Sequence, residues 1–315
     1  MRSKKRNNNG LKIFVSILAI LVIGILGYIY SIYANVKDSM DTAYTPVEVE
    51  TYRTSNTGTV ADSSEDEESR TNAGAMTPSE LLEAGEPVSI LLLGVDTGDL
   101  GRTEQGRSDS MVVVTINPHT QKTTLLSIPR DTYTEIVGYG TSDKINHAYA
   151  FGGTAMSINT VQQMLDIPID FYVMVNMAGI QEIVDAVGGI TVESPLTFNQ
   201  NGYDFVQGTN QLDGEAALAF ARMRYEDPAG DTGRQGRQRL VIEAVIRKLA
   251  TPETLLNYQT ILQSLSSNVQ TSFQLSDFYT LQSQDYIRAV DNMNQQQLGG
   301  TGGMMNEIYY NFVDE

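Results

Sequence analysis

Apolar residues are distributed along this chain in two different ways. From Ile13 to Val36 they form one run without a charged residue, dominated by Ile, Leu, Val, Ala and Gly. At about 1.5 Å of rise per residue, such a run crosses a bilayer as a helix. The pattern therefore predicts a transmembrane helix over 13–36 behind a short tail, residues 1–12. A cleaved signal peptide is the competing reading, but its apolar core is only about 7–15 residues long, and the small-residue cleavage pattern is poor around Ile32 and Ala34. Residues 37–86 mix Ser, Thr, Asn, Gly, Asp and Glu, with an acidic knot at Asp62, Glu65, Asp66, Glu67 and Glu68. This composition predicts a disordered extracellular linker that tethers a folded domain.

After residue 87 the apolar residues come in short bursts. Continuous runs over 88–93, 111–116 and 123–128 read as buried strands. A helical stretch follows Asn146 to about Asp166, interrupted at Gly152-Gly153, then a strand over 171–175, a helix over 178–187 that stops at Gly188-Gly189, and a strand over 190–192. Helices are expected over 212–220 and 237–250. The remainder reads as helical up to a Gln- and Gly-rich loop at 294–303, and a closing strand runs over 308–313. Strands alternating with helices predict an α/β domain over 87–315, a three-layer helix-sheet-helix arrangement with a mixed central sheet. The pattern does not give the strand order.

Charge orients the chain. The net charge is −17, and Arg2, Lys4, Lys5, Arg6 and Lys12 precede the apolar run with no acid among them, so the rest of the chain carries −22. A positive flank stays in the cytoplasm, which puts the domain outside a cell membrane that it crosses once, and Tyr28, Tyr30 and Tyr33 sit where an aromatic belt is expected. An acidic domain argues against nucleic acid as a partner. The absence of cysteine fits export but proves little.

Within this acidic domain, Arg222, Arg224, Arg234, Arg237 and Arg239 fall within eighteen positions. Clustered guanidiniums want an anion, and their planar fork matches phosphate oxygens in pairs. Surface ion pairing with the surplus acids is the alternative. Arg222 and Arg224 share a face only if the chain between them is extended. Arg234 and Gln238 stack on one helical face, continued by Val241, Val245 and Leu249, so a pyrophosphate at the helix start with a lipid tail along the stripe is one reading and core packing is another. Asp96 and Asp109 come together if their strands pair across the loop 97–110, where Gly98, Gly101 and Gly106 permit a close approach. Two carboxylates beside phosphates suit magnesium, or manganese in its place.

The strings LLLGVD (91–96), GRSDSMVVVTINP (106–118), SIPRDTY (127–133), KINHAYAFGG (144–153), DAVGGI (185–190), LDGEAALAFARMR (212–224) and GDTGRQGRQ (230–238) resemble, in order, the signature blocks of the LytR-CpsA-Psr family. They cover nearly all of residues 88–250. The resemblance implies a one-pass membrane protein whose helix-sheet-helix domain holds a polyprenyl (undecaprenyl) phosphate lipid in an apolar tunnel and attaches teichoic acid, capsule or a similar polymer to peptidoglycan. It makes Asp96 and Asp109 magnesium ligands and places Arg107, Arg130, Arg222, Arg224, Arg234 and Gln238 around the pyrophosphate. Many members carry an arginine directly after the GVD aspartate, whereas Thr97 stands here, with Arg102 the nearest substitute in the loop. Asp131 either orients Arg130 or acts as base. His147 reads as a structural hydrogen-bonding residue, because nothing around it in sequence forms a triad.

The reaction expected is phosphoryl transfer from a polyprenyl pyrophosphate-linked glycan to a peptidoglycan hydroxyl. The alternatives are a polyprenyl pyrophosphatase, a membrane-bound regulator and a lipid-binding module without turnover. Twelve cytoplasmic residues are few for a regulator's effector, and both aspartates are present, which speaks against a module that has lost its metal ligands.

Overall fold

The computed structural model describes residues 43–49, 76–96, 105–251, 254, 261, 268–283 and 285–313. Its order of elements is α1 (Pro78–Ala84), β1 (Val88–Val95), β2 (Ser108–Asn117), β3 (Lys122–Ile128), β4 (Tyr133–Ile136), β5 (Thr141–Lys144), α2 (His147–Leu165), β6 (Phe171–Asn176), α3 (Met177–Ala186) and β7 (Ile190–Ser194). There follow β8 (Phe198–Gln200), β9 (Tyr203–Phe205), β10 (Gly208–Leu212), α4 (Gly214–Arg222), α5 (Gly230–Leu249), β11 (Val269–Thr271), α6 (Leu275–Ser283), α7 (Tyr286–Val290), β12 (Met293–Gln297), β13 (Thr301–Met305) and β14 (Ile308–Phe312).

Six strands form the central sheet in the order β11-β6-β1-β2-β3-β12. β1 runs parallel to β6 and β3 parallel to β12, while the β1–β2, β2–β3 and β6–β11 pairs are antiparallel, so the sheet is mixed as expected. Its middle strands are apolar on both faces because both faces are covered. Leu91, Leu93, Val95, Met111 and Val113 meet α2 through Tyr149, Ile158 and Val161. Val88, Ile90, Val112 and Val114 meet α1, α6, α7 and the sheet side of α5, through Leu82, Phe278, Ala289, Ile242 and Ile246. A second, smaller core lies beside the sheet, where Phe198, Phe205 and Phe220 pack among α3, α4, β7 to β10 and Val241 of α5.

Several expectations change. The boundary at residue 87 lies inside folded structure: α1 begins with a capping box between Thr77 and Glu80 and buries Leu81 and Leu82. Farther back, Tyr44 bridges to Thr271 on the sheet edge, and Val47 and Val49 pack on the α2 side. The apolar run at 13–36 and most of the expected linker lie outside the described residues. Among those residues, no helix is long and apolar enough to cross a membrane.

The stretch expected to be helical up to residue 294 contains β11, and the Gln-rich segment expected as a loop is β12, an edge strand of the sheet. MNQQQ looks like a loop because an edge strand tolerates polar residues. Here Gln295 spends its amide on Glu243 of α5. α5 starts seven residues before the expected Arg237, since its first turns are held by polar burial (Gln235, Arg237) that an apolar periodicity does not register. The Gly152-Gly153 interruption of α2 is present as two residues with non-helical angles.

If α1 belongs to the domain, Leu82→Ala removes a fully buried side chain and lowers the unfolding free energy by about 2–5 kcal/mol. Chemical denaturation of the full chain measures this. An unchanged midpoint would return α1 to the linker.

Candidate active site

The site is assembled where β1, β2 and β3 end or begin together. Gly94 faces Ser110 and Val95 faces Ser108 across the β1–β2 ladder, so Asp109 is the extra residue of a β-bulge. A bulge re-aims a side chain that strict alternation would direct elsewhere. Asp109 receives Nη1 of Arg130 at 2.8 Å. Asp96, one residue past β1, accepts the Arg107 amide on Oδ1 at 2.6 Å and donates its own amide to the Arg107 carbonyl at 3.3 Å. This turn requires a glycine at 106, since a Cβ there would lie 1.9 Å from Oδ1 of Asp96. The expected pairing of the two strands is thus what brings the two carboxylates to one sheet edge.

Arg130 and Asp131 follow β3. Lys144 of β5 donates to Oδ1 of Asp131 at 2.7 Å, and Oδ2 of Asp131 lies 3.8 Å from Nε of Arg130. Burial alone would lower the Arg130 pKa, but the hydrogen bond and charge of Asp109, with Asp231 and Asp131 behind, raise it above its ordinary value. Asp131 is thus ion-paired to Lys144 and lies beside Arg130 without a hydrogen bond to it.

The third wall comes from α4 and α5. Met223, which ends α4, has φ −56° and ψ 133°, an extended geometry that turns the flanking Arg222 and Arg224 to one exposed side while Met223 is buried. Arg237 sets this turn. It is fully buried, donates Nε to the Phe220 carbonyl at 3.2 Å and Nη2 to that of Met223, and gives Nη1 to Asp227. A Cβ at Gly233 would meet Oδ2 of Asp227 at 1.8 Å and so would push that carboxylate off Arg237. Arg237, counted with the cluster in sequence, is thus structural. The positive end of α5 is already faced by the chain's own Asp227, which accepts the Ala229 amide, and by Asp231 in the first turn. Any anion seated at this helix start would therefore meet these two carboxylates as well as the helix amides.

Arg234 lies 2.7 Å from Oδ1 of Asp231, an ion pair without hydrogen-bond direction, since neither atom has a hydrogen-bond partner. Burial pushes its pKa down, and Arg130 and Arg224 add to this against the opposing pull of Asp231 and Asp109. Arg130, Arg224 and Arg234 hence share one electrostatic field with Asp109 and Asp231.

Arg107 is exposed beside Asp96, and Gln238 is half-buried one turn beyond Arg234. Val241 is buried in the smaller core, with Val245 at its margin, so the apolar stripe of α5 does pack. Buried polar atoms without hydrogen-bond partners include Nε of Arg130, Nε and Nη2 of Arg234, Oγ of Ser108, Oδ1 of Asn146 and Nε2 of His147 at or next to the sheet end, and atoms of Gln235, Arg239 and Asn311 besides. Native structures pair nearly all such groups, with protein, water or ligand. One pair was missed in sequence: Asp143 lies four residues before His147 and 2.7 Å from its Nδ1. The spacing was visible, but its meaning depends on the junction of β5 with α2.

A mixed sheet with helices on both faces and arginines grouped at one end of its strands defines an α/β domain. The comparisons make this specific. Residues 48–315 match the LytR_cpsA_psr family, and the chain belongs to that family. It is 45% identical to the polyisoprenyl-teichoic acid--peptidoglycan teichoic acid transferase TagU of Enterococcus faecalis, over 98% of this chain and 94% of the relative. A crystal structure from Enterococcus faecalis, described as a transcriptional regulator, superposes with a TM-score of 0.67 at 45% identity, over 74% of this chain and 84% of that one. The structure of TagT bound to LIIa-WTA superposes with a TM-score of 0.62 at 30% identity, over 77% of this chain and 88% of that one.

The buried Arg237–Asp227 pair should dominate local stability. Arg237→Ala leaves Asp227 buried and unpaired and should cost about 3–5 kcal/mol by denaturation. Burial raises the Asp227 pKa, but hydrogen bonds from Arg237 and the Ala229 amide, with the charge of Arg237, hold it below its ordinary value. A depressed folded-state pKa stabilises above the unfolded value of about 4 and loses that contribution as pH falls through the folded one. The parent's melting temperature should therefore fall below about pH 4 by more than that of Asp227→Asn. Equal acid sensitivity would remove the pair from this role.

Proposed function

We propose that this chain is a membrane-anchored transferase that moves a phosphate-linked glycan from a polyprenyl pyrophosphate carrier to a peptidoglycan hydroxyl outside the cell. The observation that carries the reading is the pair Arg130 and Arg234, guanidiniums largely withdrawn from water whose Nε–H groups have no hydrogen-bond acceptor, although carboxylates flank both, and whose charges oppose each other. Arg130 is held charged by Asp109, whereas burial and the charges of Arg130 and Arg224 lower the pKa of Arg234, so it is Arg234 above all whose free donors suit an anion with several oxygens. The names of the relatives supply the glycopolymer, teichoic acid, and its acceptor.

Partial burial on the sheet supports a site for the apolar tail. On the α5 side of the sheet Val112 and Val114 are buried, whereas Leu92 and Val173, neighbours in register on the central strands, are only partly covered, as are Ile242 and Ile246 of α5, which pack against the same cluster. Partly covered apolar residues in the middle of a sheet favour a groove for a polyprenyl chain. Anchoring by the 13–36 segment, with the domain outside, would keep that groove near the lipid.

In the reaction the acceptor oxygen forms a bond to the glycan-side phosphorus, and the bond from that phosphorus to the bridging oxygen breaks. Polyprenyl phosphate leaves with the electron pair. Most of the catalysis is positioning and neutralisation. Arg130, held by Asp109 and Asp131, and Arg234, held by Asp231, bind oxygens of the two phosphates, with Arg222 and Arg224 at the exposed rim. Asp96 and Asp109 are hard oxygen donors at one sheet edge, suited to a magnesium ion that completes its shell with water and phosphate. No three His, Cys, Asp or Glu side chains among the described residues form a full protein cage. When bound, the ion would offset phosphate charge.

Asp96→Ala and Asp109→Ala should each abolish transfer with the fold retained, and chelator should stop the parent. Arg222→Lys, Arg224→Lys and Arg234→Lys keep the charge but lose the fork, and each should reduce transfer at least about tenfold, about 1.4 kcal/mol of barrier, at a near-parental melting temperature. Exposed counter-charges alone would tolerate lysine at roughly 0–1 kcal/mol of stability and no loss of rate. Parental rates in all three would sink the phosphate site, and release of free glycan without transfer to peptidoglycan would favour hydrolysis.

A further inference from the structure

The Asp143–His147 pair is not used by the phosphate site, yet it is built like a proton-transfer dyad. His147 opens α2, and its Nδ1 lies 2.7 Å from Oδ2 of Asp143 at the end of β5. The other oxygen of Asp143 accepts the Lys144 amide at 2.7 Å and the Tyr310 hydroxyl at 3.3 Å. A carboxylate bonded this way fixes the proton of the neutral imidazole on Nδ1 and leaves the lone pair on Nε2. That nitrogen is buried and has no hydrogen-bond partner, although the side chain as a whole is 17% exposed. An unpaired buried acceptor is costly unless something donates to it.

Beside the dyad is a flat aromatic surface. Phe151 meets the His147 ring edge-on at 5.7 Å and stacks on Tyr139 at 4.0 Å with 13° between the planes. Tyr139 is 51% and Phe151 40% exposed, unusual for two large rings already in contact. Their place follows from the β4–β5 turn, which carries Tyr139, and from the Gly152-Gly153 break of α2, which ends the short first segment at Phe151.

This surface is joined to the phosphate site on two sides. The Asn146 amide donates to the Arg130 carbonyl at 3.3 Å, and Lys144 is ion-paired to Asp131. Gln105, next to the glycine that seats Asp96, donates its side-chain amide to the Tyr149 carbonyl. The segment 143–151 thus stands between Arg130 and the Asp96 turn.

We propose that Tyr139 and Phe151 are the subsite for the acceptor sugar and that His147 is the base that takes the proton of its attacking hydroxyl. The ligand class is a neutral pyranose of a glycan strand, whose C–H face lies on an exposed aromatic surface while its hydroxyls remain available to polar partners. The inference rests on the transferase reading above. The hydroxyl proton passes to Nε2 as the oxygen–phosphorus bond forms and the bridging bond breaks toward polyprenyl phosphate. Asp143 stabilises the resulting imidazolium. The charged and titratable groups around the ring are Asp143 and, behind it, Lys144, Tyr310 and Asp131.

The test uses the full-length chain with magnesium, a polyprenyl pyrophosphate-linked disaccharide as donor and uncrosslinked glycan strands as acceptor. His147→Asn keeps an amide donor for Asp143 but has no atom in place of Nε2. It should lower kcat about a hundredfold and abolish the acidic limb of the kcat profile, with polyprenyl monophosphate affinity and melting temperature near parental. Phe151→Ala and Tyr139→Ala should raise the acceptor KM several-fold and leave donor affinity unchanged. A structural histidine would be rescued by asparagine, so parental kcat and an intact acidic limb in His147→Asn overturn the base. Unchanged acceptor KM in both aromatic variants overturns the subsite. A parent that binds polyprenyl monophosphate yet transfers nothing to glycan strands overturns the transferase reading and this inference together.

Discussion

The antiparallel ladder that joins β1, β2 and β3 is the constraint on which the site depends. Val88 to Gly94 pair with Ile116 to Ser110, and Met111 pairs with Ile128, so the ends of β1 and β3 and the start of β2 meet at one edge of the sheet. The apolar residues that hold this register are buried on both faces, and a one-residue slip would turn each set to the wrong helix layer. A single irregularity, the bulge at Asp109, then gives the edge its chemistry. It brings a carboxylate to Arg130, while the tight turn at Gly106 brings Asp96 to the same edge.

α5 supplies what the sheet cannot. It stands between two cores, with Ile242 and Ile246 toward the central sheet and Leu240, Val241, Ala244 and Val245 toward the smaller one, and so it is half-buried nearly all round. Its first turns hold two arginines with opposite fates. Arg237 has every partner that it needs from Asp227, Phe220 and Met223, and stabilises the turn that displays Arg222 and Arg224. Arg234, three residues earlier, is half-buried, feels the charges of two other guanidiniums and lacks a hydrogen-bond partner for Nε. The first arrangement gives up nothing when ligand is absent. The second leaves a desolvated guanidinium only partly compensated by Asp231, which the proposed diphosphate would pair.

Much of this was legible in the sequence because burial on two sides leaves a strong signature. VSILLLGV and MVVVTI are continuous apolar runs, and their termini in Asp96 and Asp109 pointed to a shared loop. What stayed illegible depended on polar interactions across long separations. MNQQQ gave no sign of being an edge strand because its partners are Glu243 and the backbone of β3. The first half of α5 was missed because Gln235 and Arg237 are the buried residues there, and their burial is licensed by Asp231 and Asp227 rather than by apolar character. The five arginines were equal in sequence. Only the direction of each side chain separates the structural Arg237 from Arg234, whose Nε has no hydrogen-bond partner, and helix register alone did not disclose that direction. The extended exit at Met223, by contrast, was implied by the need for Arg222 and Arg224 to share a side.

The central claim is that Arg130 and Arg234 hold a diphosphate, and thermal unfolding of the full chain with a short-chain prenyl diphosphate tests it most directly. A ligand that binds only the folded state adds about 2.7 kcal/mol of stability at a hundredfold excess over Kd. The account predicts a melting temperature that climbs with ligand in the parent and is unmoved in Arg130→Gln/Arg234→Gln. A flat parental melting temperature up to millimolar ligand, or an undiminished rise in the double variant, would contradict it.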